Sequence, residues 1–319
     1  MLLDFYSHFL HTVCLSTSAA VFAVVSVFTS YAITCRTPSA LKAYKFLFFH
    51  LNGSYQMIIF LTGVFGPFDI TAHENGMVTF KFCGLLPVLG RIWPFFEGFL
   101  ALISFLNVIL CIWMSFLYRY CQVCHPKSLY SNSPLLQRAA NVVVLIVIPA
   151  FLAALLIMLV WMHSLDDPQT EALLTVRIYT HAYIILGALL LFFVLVIISG
   201  ATFNLRVIWV LETSLSLVCE KTRSMQRMLT ITLVVQSSIS LAFGIIPVGP
   251  AIYAIFLDNG AVTVFFRMFF LSFTFQGICH CVTTVLLVKP YKELLISVLK
   301  RMKVWNQATT TIAVKKIAQ

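Results

Sequence analysis

The chain alternates between long apolar runs and short polar breaks, and seven of the runs are long enough to cross a bilayer. A hydrocarbon core about 30 Å thick needs roughly 20 helical residues at about 1.5 Å each. Spans are predicted near 9–35, 46–66, 95–118, 139–162, 178–205, 228–257 and 268–288, and inside these limits only Glu97 carries a full charge. The breaks are short except for 67–94, where Pro67, Pro87 and Pro94 alternate with Gly76, Gly84 and Gly90 and predict an ordered but irregular cap. The sixth span holds Gly244, Pro247, Gly249 and Pro250 in its second half. Proline removes backbone hydrogen bonds and kinks a helix, which can open a cavity or a hinge. Membrane helices also tolerate such residues without further consequence. Beyond the seventh span, Lys289-Pro290-Tyr291 leads into 292–305, where Leu294, Leu295, Val298, Leu299, Met302 and Trp305 recur every three or four residues among Lys292, Lys300, Arg301 and Lys303. That spacing predicts a short basic amphipathic helix on the membrane surface. The fold class is therefore all-α: a seven-transmembrane-helix bundle over 1–305 with a polar tail at 306–319.

Composition agrees. A chain that is 61% hydrophobic and 10% charged lacks the polar surface a soluble domain of 319 residues needs. Charge then supplies orientation. With the amino terminus outside, the segments 36–45, 119–138, 206–227 and 289–319 face the cytoplasm and hold 17 of the 21 Lys and Arg residues. Only Lys81, Arg91, Arg177 and Arg267 fall on the other side. Short loops rich in Lys and Arg stay inside, so the chain is expected to run N-out and C-in. The net charge of +10 is an orientation signal beside anionic lipid, and it does not point to nucleic acid. No basic n-region precedes the first apolar run, which is far longer than a signal-peptide core, so the first helix is expected to act as an uncleaved anchor.

Few motifs carry chemistry. Cys121-Gln122-Val123-Cys124-His125 matches the C-x-x-C-H haem pattern, but it falls at the cytoplasmic end of the third span, the wrong side for haem attachment. Packing or palmitoylation suits these cysteines better. Of the nine cysteines only Cys83 lies in an outer loop, and a bridge from it could reach only a helix-end cysteine such as Cys14. Asn52-Gly53-Ser54 is a glycosylation sequon inside the second span, where it is silent. The last span has no Lys for a retinal Schiff base. Paired carboxylates and metal-ligand arrays are missing from the spans, so no enzyme, cofactor or ion-coupled pump is expected.

The polar residues at membrane depth suggest a cavity instead. Glu97, Ser104 and Asn107 on the third span, His181 and Tyr183 on the fifth, Gln236 on the sixth, and Thr274, Gln276 and His280 on the seventh could line a pocket for a small, largely apolar ligand. Interhelical hydrogen bonding is the other use of such residues. At the inner ends, Tyr118-Arg119-Tyr120 closes the third span and Glu220-Lys221-Thr222-Arg223 leads into the sixth. Arg119 could pair with Glu220 and hold a closed state that movement of the sixth helix breaks, or it could simply follow the inside-positive bias.

These residues carry a resemblance. Tyr118-Arg119-Tyr120 is similar to the Tyr-Arg-Tyr of nematode serpentine chemoreceptors of the Str superfamily, and other stretches resemble that superfamily in the same order. They are Thr37-Pro38 with Lys42, Tyr44 and Lys45; Thr222 with Gln226, Gln236 and the Pro247 and Pro250 pair; and Pro290-Tyr291. The Srh, Sri, Srd and Str groups share these features. An acidic residue does not precede Arg119, and Lys-Pro-Tyr stands where rhodopsin-like receptors have Asn-Pro-x-x-Tyr. The resemblance implies a G-protein-coupled receptor for an odorant or pheromone-like ligand in the ciliary membrane of a chemosensory neuron, with a heterotrimeric G protein as partner. Tyr118, Arg119, Tyr120, Glu220, Thr222 and Arg223 would then form the activation switch. A seven-helix channel or passive facilitator is the alternative, and a chain that helps other receptors assemble is a third.

Overall fold

A computed structural model describes residues 8–37, 42–65, 68–73, 77–82, 93–128, 130, 133–162, 164–165, 173–177, 180–213, 220–247 and 261–301. Seven long helices run back and forth: α1 (His8–Arg36), α2 (Lys42–Phe60), α3 (Trp93–Cys124), α4 (Pro134–Val142 continuing through Ile148–Met162), α5 (Thr180–Thr213), α6 (Glu220–Ser240) and α7 (Ala261–Leu287). A shorter helix, α8, covers 289–301. Most helices overrun the spans read from hydropathy, α5 by two turns to Thr213. Apolarity marks only the part of a helix in hydrocarbon, while the backbone ladder continues through the headgroup layer. The expected sixth span to 257 is helical through 247, and 248–260 lie outside the described residues. The neighbours follow the ring α1–α2–α3, then α5–α6–α7 and back to α1, with α4 packed on α3. Because α3 touches α2, α4, α5 and α6, it is the central strut. Its apolar window is 56% buried against 17% for α4 and 11% for α5.

Six of these helices are long and apolar enough to cross a membrane by length and composition among the described residues. The span between α1 and α3 is the one that falls short, because His50, Asn52 and Gln56 interrupt its apolar run. Those polar groups are turned into the bundle. Asn52 Nδ2 donates to Ser30 Oγ at 2.7 Å and to the Ser26 carbonyl at 3.2 Å, and Gln56 Nε2 donates to Ser26 Oγ at 2.6 Å. The low hydropathy of α2 is thus the signature of a helix that hydrogen-bonds to its neighbour.

Three helices contain one π turn each, at Leu61–Phe65, Val143–Val147 and Leu241–Ile245. Each ends two residues before a proline, Pro67, Pro149 and Pro247. Proline has no N–H for the carbonyl four residues back, which is the third residue of the π turn in every case. Two of those carbonyls find another donor: Gly63 accepts from Ser16 Oγ at 3.0 Å and Phe243 from Ser272 Oγ at 2.8 Å. The kink expected near Pro247 is therefore a π turn anchored to α7 by Ser272.

Residues 68–73 and 77–82 differ from the irregular cap expected for 67–94. They form β1 (Phe68–His73) and β2 (Met77–Phe82), which join β3 (Ser164–Leu165) and β4 (Leu173–Arg177) in an antiparallel sheet of order β1-β2-β4-β3. The register runs Phe68↔Phe82 to His73↔Met77 and Met77↔Arg177 to Lys81↔Leu173. The α2–α3 connection and the α4–α5 connection thus share one sheet at one end of an otherwise helical bundle, where β1 runs beside α7. The bridge considered from Cys83 to Cys14 is not formed: Cys14 is a free thiol, and Cys83 lies outside the described residues.

The other end is the basic one. Lys45 Nζ donates to the Thr34 carbonyl at 2.8 Å, closing the last turn of α1. On α8, Tyr291 and Leu294 are buried, and Leu295 and Val298 pack on the same cluster at the base of the bundle. Ile296, Leu299, Lys292, Lys300 and Arg301 face outward. The expected amphipathic helix therefore lays one apolar face on the protein, and its last residues, 302–305, lie outside the description, as does the tail 306–319.

Glycine permits close helix approach at Gly63 and Gly277. A Cβ at Gly63 would sit 2.7 Å from Ala19 Cβ, and one at Gly277 would sit 2.6 Å from Ile59 Cδ1. Ala19 Cβ is fixed to its backbone and cannot rotate away. Gly63→Ala is expected to push α1 from α2 and destabilise by about 1–3 kcal/mol, read as a lower unfolding temperature in detergent. An unchanged midpoint would show that α1 yields freely.

Candidate functional site

Among the described residues, the candidates read from the sequence fall in two polar regions inside the bundle. The first is at the basic end, where α3 delivers Arg119 with only 1% of its surface exposed. The guanidinium Nη2 donates to the Gln226 carbonyl at 2.6 Å and to Thr230 Oγ1 at 3.3 Å, both on α6. Among the described residues Nε and Nη1 are buried and close no hydrogen bond of good geometry. Tyr44 lies beside it, with its ring edge-on to Tyr118 at 5.0 Å and its hydroxyl donating to Gln122 Oε1 at 3.3 Å. Tyr118 accepts from Gln122 Nε2 at 2.9 Å and contacts Tyr130 at 6.3 Å. Burial pushes the Tyr130 phenol up to about 12, so it stays neutral. Tyr120 points the other way, stacking on Phe203 of α5 at 5.0 Å. Nearby, the Tyr291 and Thr37 hydroxyls meet at 2.7 Å, tying the start of α8 to the end of α1.

The motifs behind the resemblance converge here. Thr37 meets Tyr291, Tyr44 meets Tyr118 and Arg119, and Arg119 meets the Gln226 carbonyl. Arg119 reaches the sixth helix at Gln226 and Thr230, six and ten residues beyond Glu220. The side chains of Glu220, Thr222 and Arg223 lie outside the described residues, so the expected Arg119–Glu220 pair does too.

The second region lies at mid-depth between α2, α3, α6 and α7. Gln276 Nε2 donates to Tyr55 Oη at 2.7 Å, and the Tyr55 ring lies 5.1 Å from His280. One turn nearer the basic end, Gln236 Nε2 donates to Thr284 Oγ1 at 2.9 Å. The seam needs Gly244, where a Cβ would stand 2.7 Å from Gln276 Oε1. Phe105 of α3 forms the hub of an aromatic cluster with Phe273 at 5.5 Å, Phe193 at 6.1 Å and Phe269 at 6.4 Å.

Glu97, Ser104 and Asn107 follow one another on the buried face of α3. Ser104 donates to the Leu100 carbonyl and Thr274 to the Phe270 carbonyl, so both hydroxyls serve their own helices. Asn107 lies against His50. The structure therefore brings Gln236, Gln276 and His280 into one seam, with Thr274 on the same helix, and sets Glu97, Ser104 and Asn107 along the facing strut. His181 and Tyr183 fall in the first turn of α5, and their side chains lie outside the described residues.

Sequence reasoning missed Tyr55, which joins α2 to α7, and the role of Asn52, which is 1% exposed and also accepts from Cys281 Sγ at 3.1 Å. The spacing of Asn52 and Gln56, four residues apart on an apolar helix, was the available signal. A separate groove of about 410 Å³ opens between α1 and α2, lined by Ala19, Ala23, Gly53, Gln56 and Met57 among others. It contains none of the expected ligand residues.

A comparison with curated proteins gives no match. The family model described as serpentine type 7TM GPCR chemoreceptor Srh matches residues 4–301, which narrows the four groups suggested by the motifs to one. With nearly its whole length matched, and its motif residues joined at the basic end of a multi-pass helical bundle, the chain belongs to the Srh family of nematode serpentine chemoreceptors.

Proposed function

We propose that the protein is a G-protein-coupled receptor that takes a small odorant or pheromone-like ligand from outside and activates a heterotrimeric G protein inside. The sheet end faces out and the basic end faces in, as the distribution of Lys and Arg supports. Arg119 carries the reading: a buried cation on the central helix holds α6 through the Gln226 carbonyl and Thr230, where the partner would dock. Movement of α6 breaks that tie, and a ligand promotes the movement only through its higher affinity for the moved state. Gln236 and Gln276, at the α6–α7 seam and α2–α7 contact, join the ligand region to the switch. The outward face of α8 offers Lys292, Lys300 and Arg301 to anionic lipid of the inner leaflet. The site of action is the ciliary membrane of a chemosensory neuron.

The test is G-protein activation in cells expressing the chain, screened against small volatile and water-soluble metabolites. A ligand-dependent signal that disappears when the 119–138 loop is altered is the expected result. A ligand-evoked current or solute flux without G-protein activation, with the protein at the surface, would overturn it.

A further inference from the structure

We infer that the receptor's ligand is a small protonated amine with an apolar body, held by the carboxylate of Glu97. This rests on the receptor reading above and names the ligand class. Glu97 is the only charged residue within the predicted spans, and it is 2% exposed. Neither of its oxygens has a hydrogen-bond partner among the described residues. A carboxylate in that position is stable only when a counter-charge or donor reaches it.

Asn107, ten residues further along α3 and about 15 Å deeper, lies beyond a group held at Glu97 and has His50 against it, so the demand is that of the carboxylate alone. An alcohol brings one donor and a ketone none, whereas a primary ammonium brings three together with the counter-charge. Eight residues separate Glu97 from Phe105, about 12 Å along α3. The ring cluster of Phe105, Phe193, Phe269 and Phe273 therefore lies deeper on the path from the sheet end, placed to receive an apolar body behind the ammonium. A protonated Glu97 would instead donate to a carbonyl ligand, and that rival is separable by experiment.

Purified full-length receptor in lipid nanodiscs is titrated at neutral pH with cyclohexylamine, isoamylamine and 2-phenylethylamine, each against its neutral alcohol and the corresponding ketone or ester, with thermal stabilisation as the readout. Amines stabilise the wild type and their neutral counterparts do not. In Glu97→Gln the amine affinity falls roughly 10- to 100-fold, the loss of one hydrogen bond to a charged group. Equal binding of amines and neutral isosteres by the wild type overturns the inference, and this comparison needs no variant to fold. Unchanged amine affinity in Glu97→Gln overturns it too. G-protein activation by neutral compounds alone would sink the amine and leave the receptor standing. Glu97-dependent amine binding with no nucleotide exchange would do the reverse.

Discussion

Replacing Asn52 with Ala lowers the stability of the bundle by about 2 kcal/mol, a fall of roughly 5 °C in the unfolding midpoint measured in detergent. Asn52 holds three helices at once. Its amide donates to the Ser26 carbonyl and Ser30 Oγ of α1, and its Oδ1 accepts from Ser26 Oγ at 3.1 Å and from Cys281 Sγ of α7. Each such bond in a bilayer averages about 0.6 kcal/mol, because the unfolded helices also find partners. Four of them, lost together, make the effect visible. Ser26 is 0% exposed, so its freed hydroxyl has no water to turn to. Coupling is the sharper test. Asn52→Ala and Ser26→Ala remove members of one network, so the double variant should lose less than the two singles added together. Strict additivity would mean that the two side chains do not act as a unit.

That residue also shows what a sequence discloses in this class of fold. Apolar length and the sorting of Lys and Arg identify seven spans and suggest their direction, because the bilayer imposes both requirements on the sequence directly. Partners are less visible. Asn52 reads as a silent sequon, since nothing in the linear pattern says that Ser26 and Cys281 will meet it. The sheet had a local signal: Phe68–His73 and Met77–Phe82 are β-rich six-residue strands separated by Glu74-Asn75-Gly76, a hairpin pattern. Surrounding prolines and glycines obscured it, and its third strand, β4, lies some ninety residues further on, beyond the reach of any local pattern. The π turns were half legible. Pro247 announced a kink, but Pro67 just beyond α2, read only as part of an irregular cap, and Pro149 within α4 mark the same device. At the proposed switch, Arg119 and its neighbours were singled out by residue identity. Its acceptor on α6 is a backbone carbonyl, which every residue has and no sequence marks.

Replacing Arg119 with Ala raises basal G-protein activation while leaving surface expression intact. In the structure Arg119 Nη2 joins α3 to α6 through the Gln226 carbonyl and Thr230 Oγ1. Hydrogen bonds from a charged donor contribute roughly 1.5–3 kcal/mol, so their loss moves the balance between closed and displaced α6 by about 10- to 100-fold. The fold should survive. Thr230 Oγ1 also donates to the Gln226 carbonyl at 3.1 Å, which therefore keeps a partner in the variant. The charge leaves with the side chain, so the variant creates no buried unpaired cation. Thr230→Val separates the tie from the charge: it deletes the weaker of the two contacts and should raise basal activation in the same direction by less. The measurement is nucleotide exchange without ligand, normalised to receptor counted at the cell surface. Exchange in Arg119→Ala equal to wild type at equal surface density would remove Arg119 from the switch and leave it as a residue that the inside-positive rule alone explains.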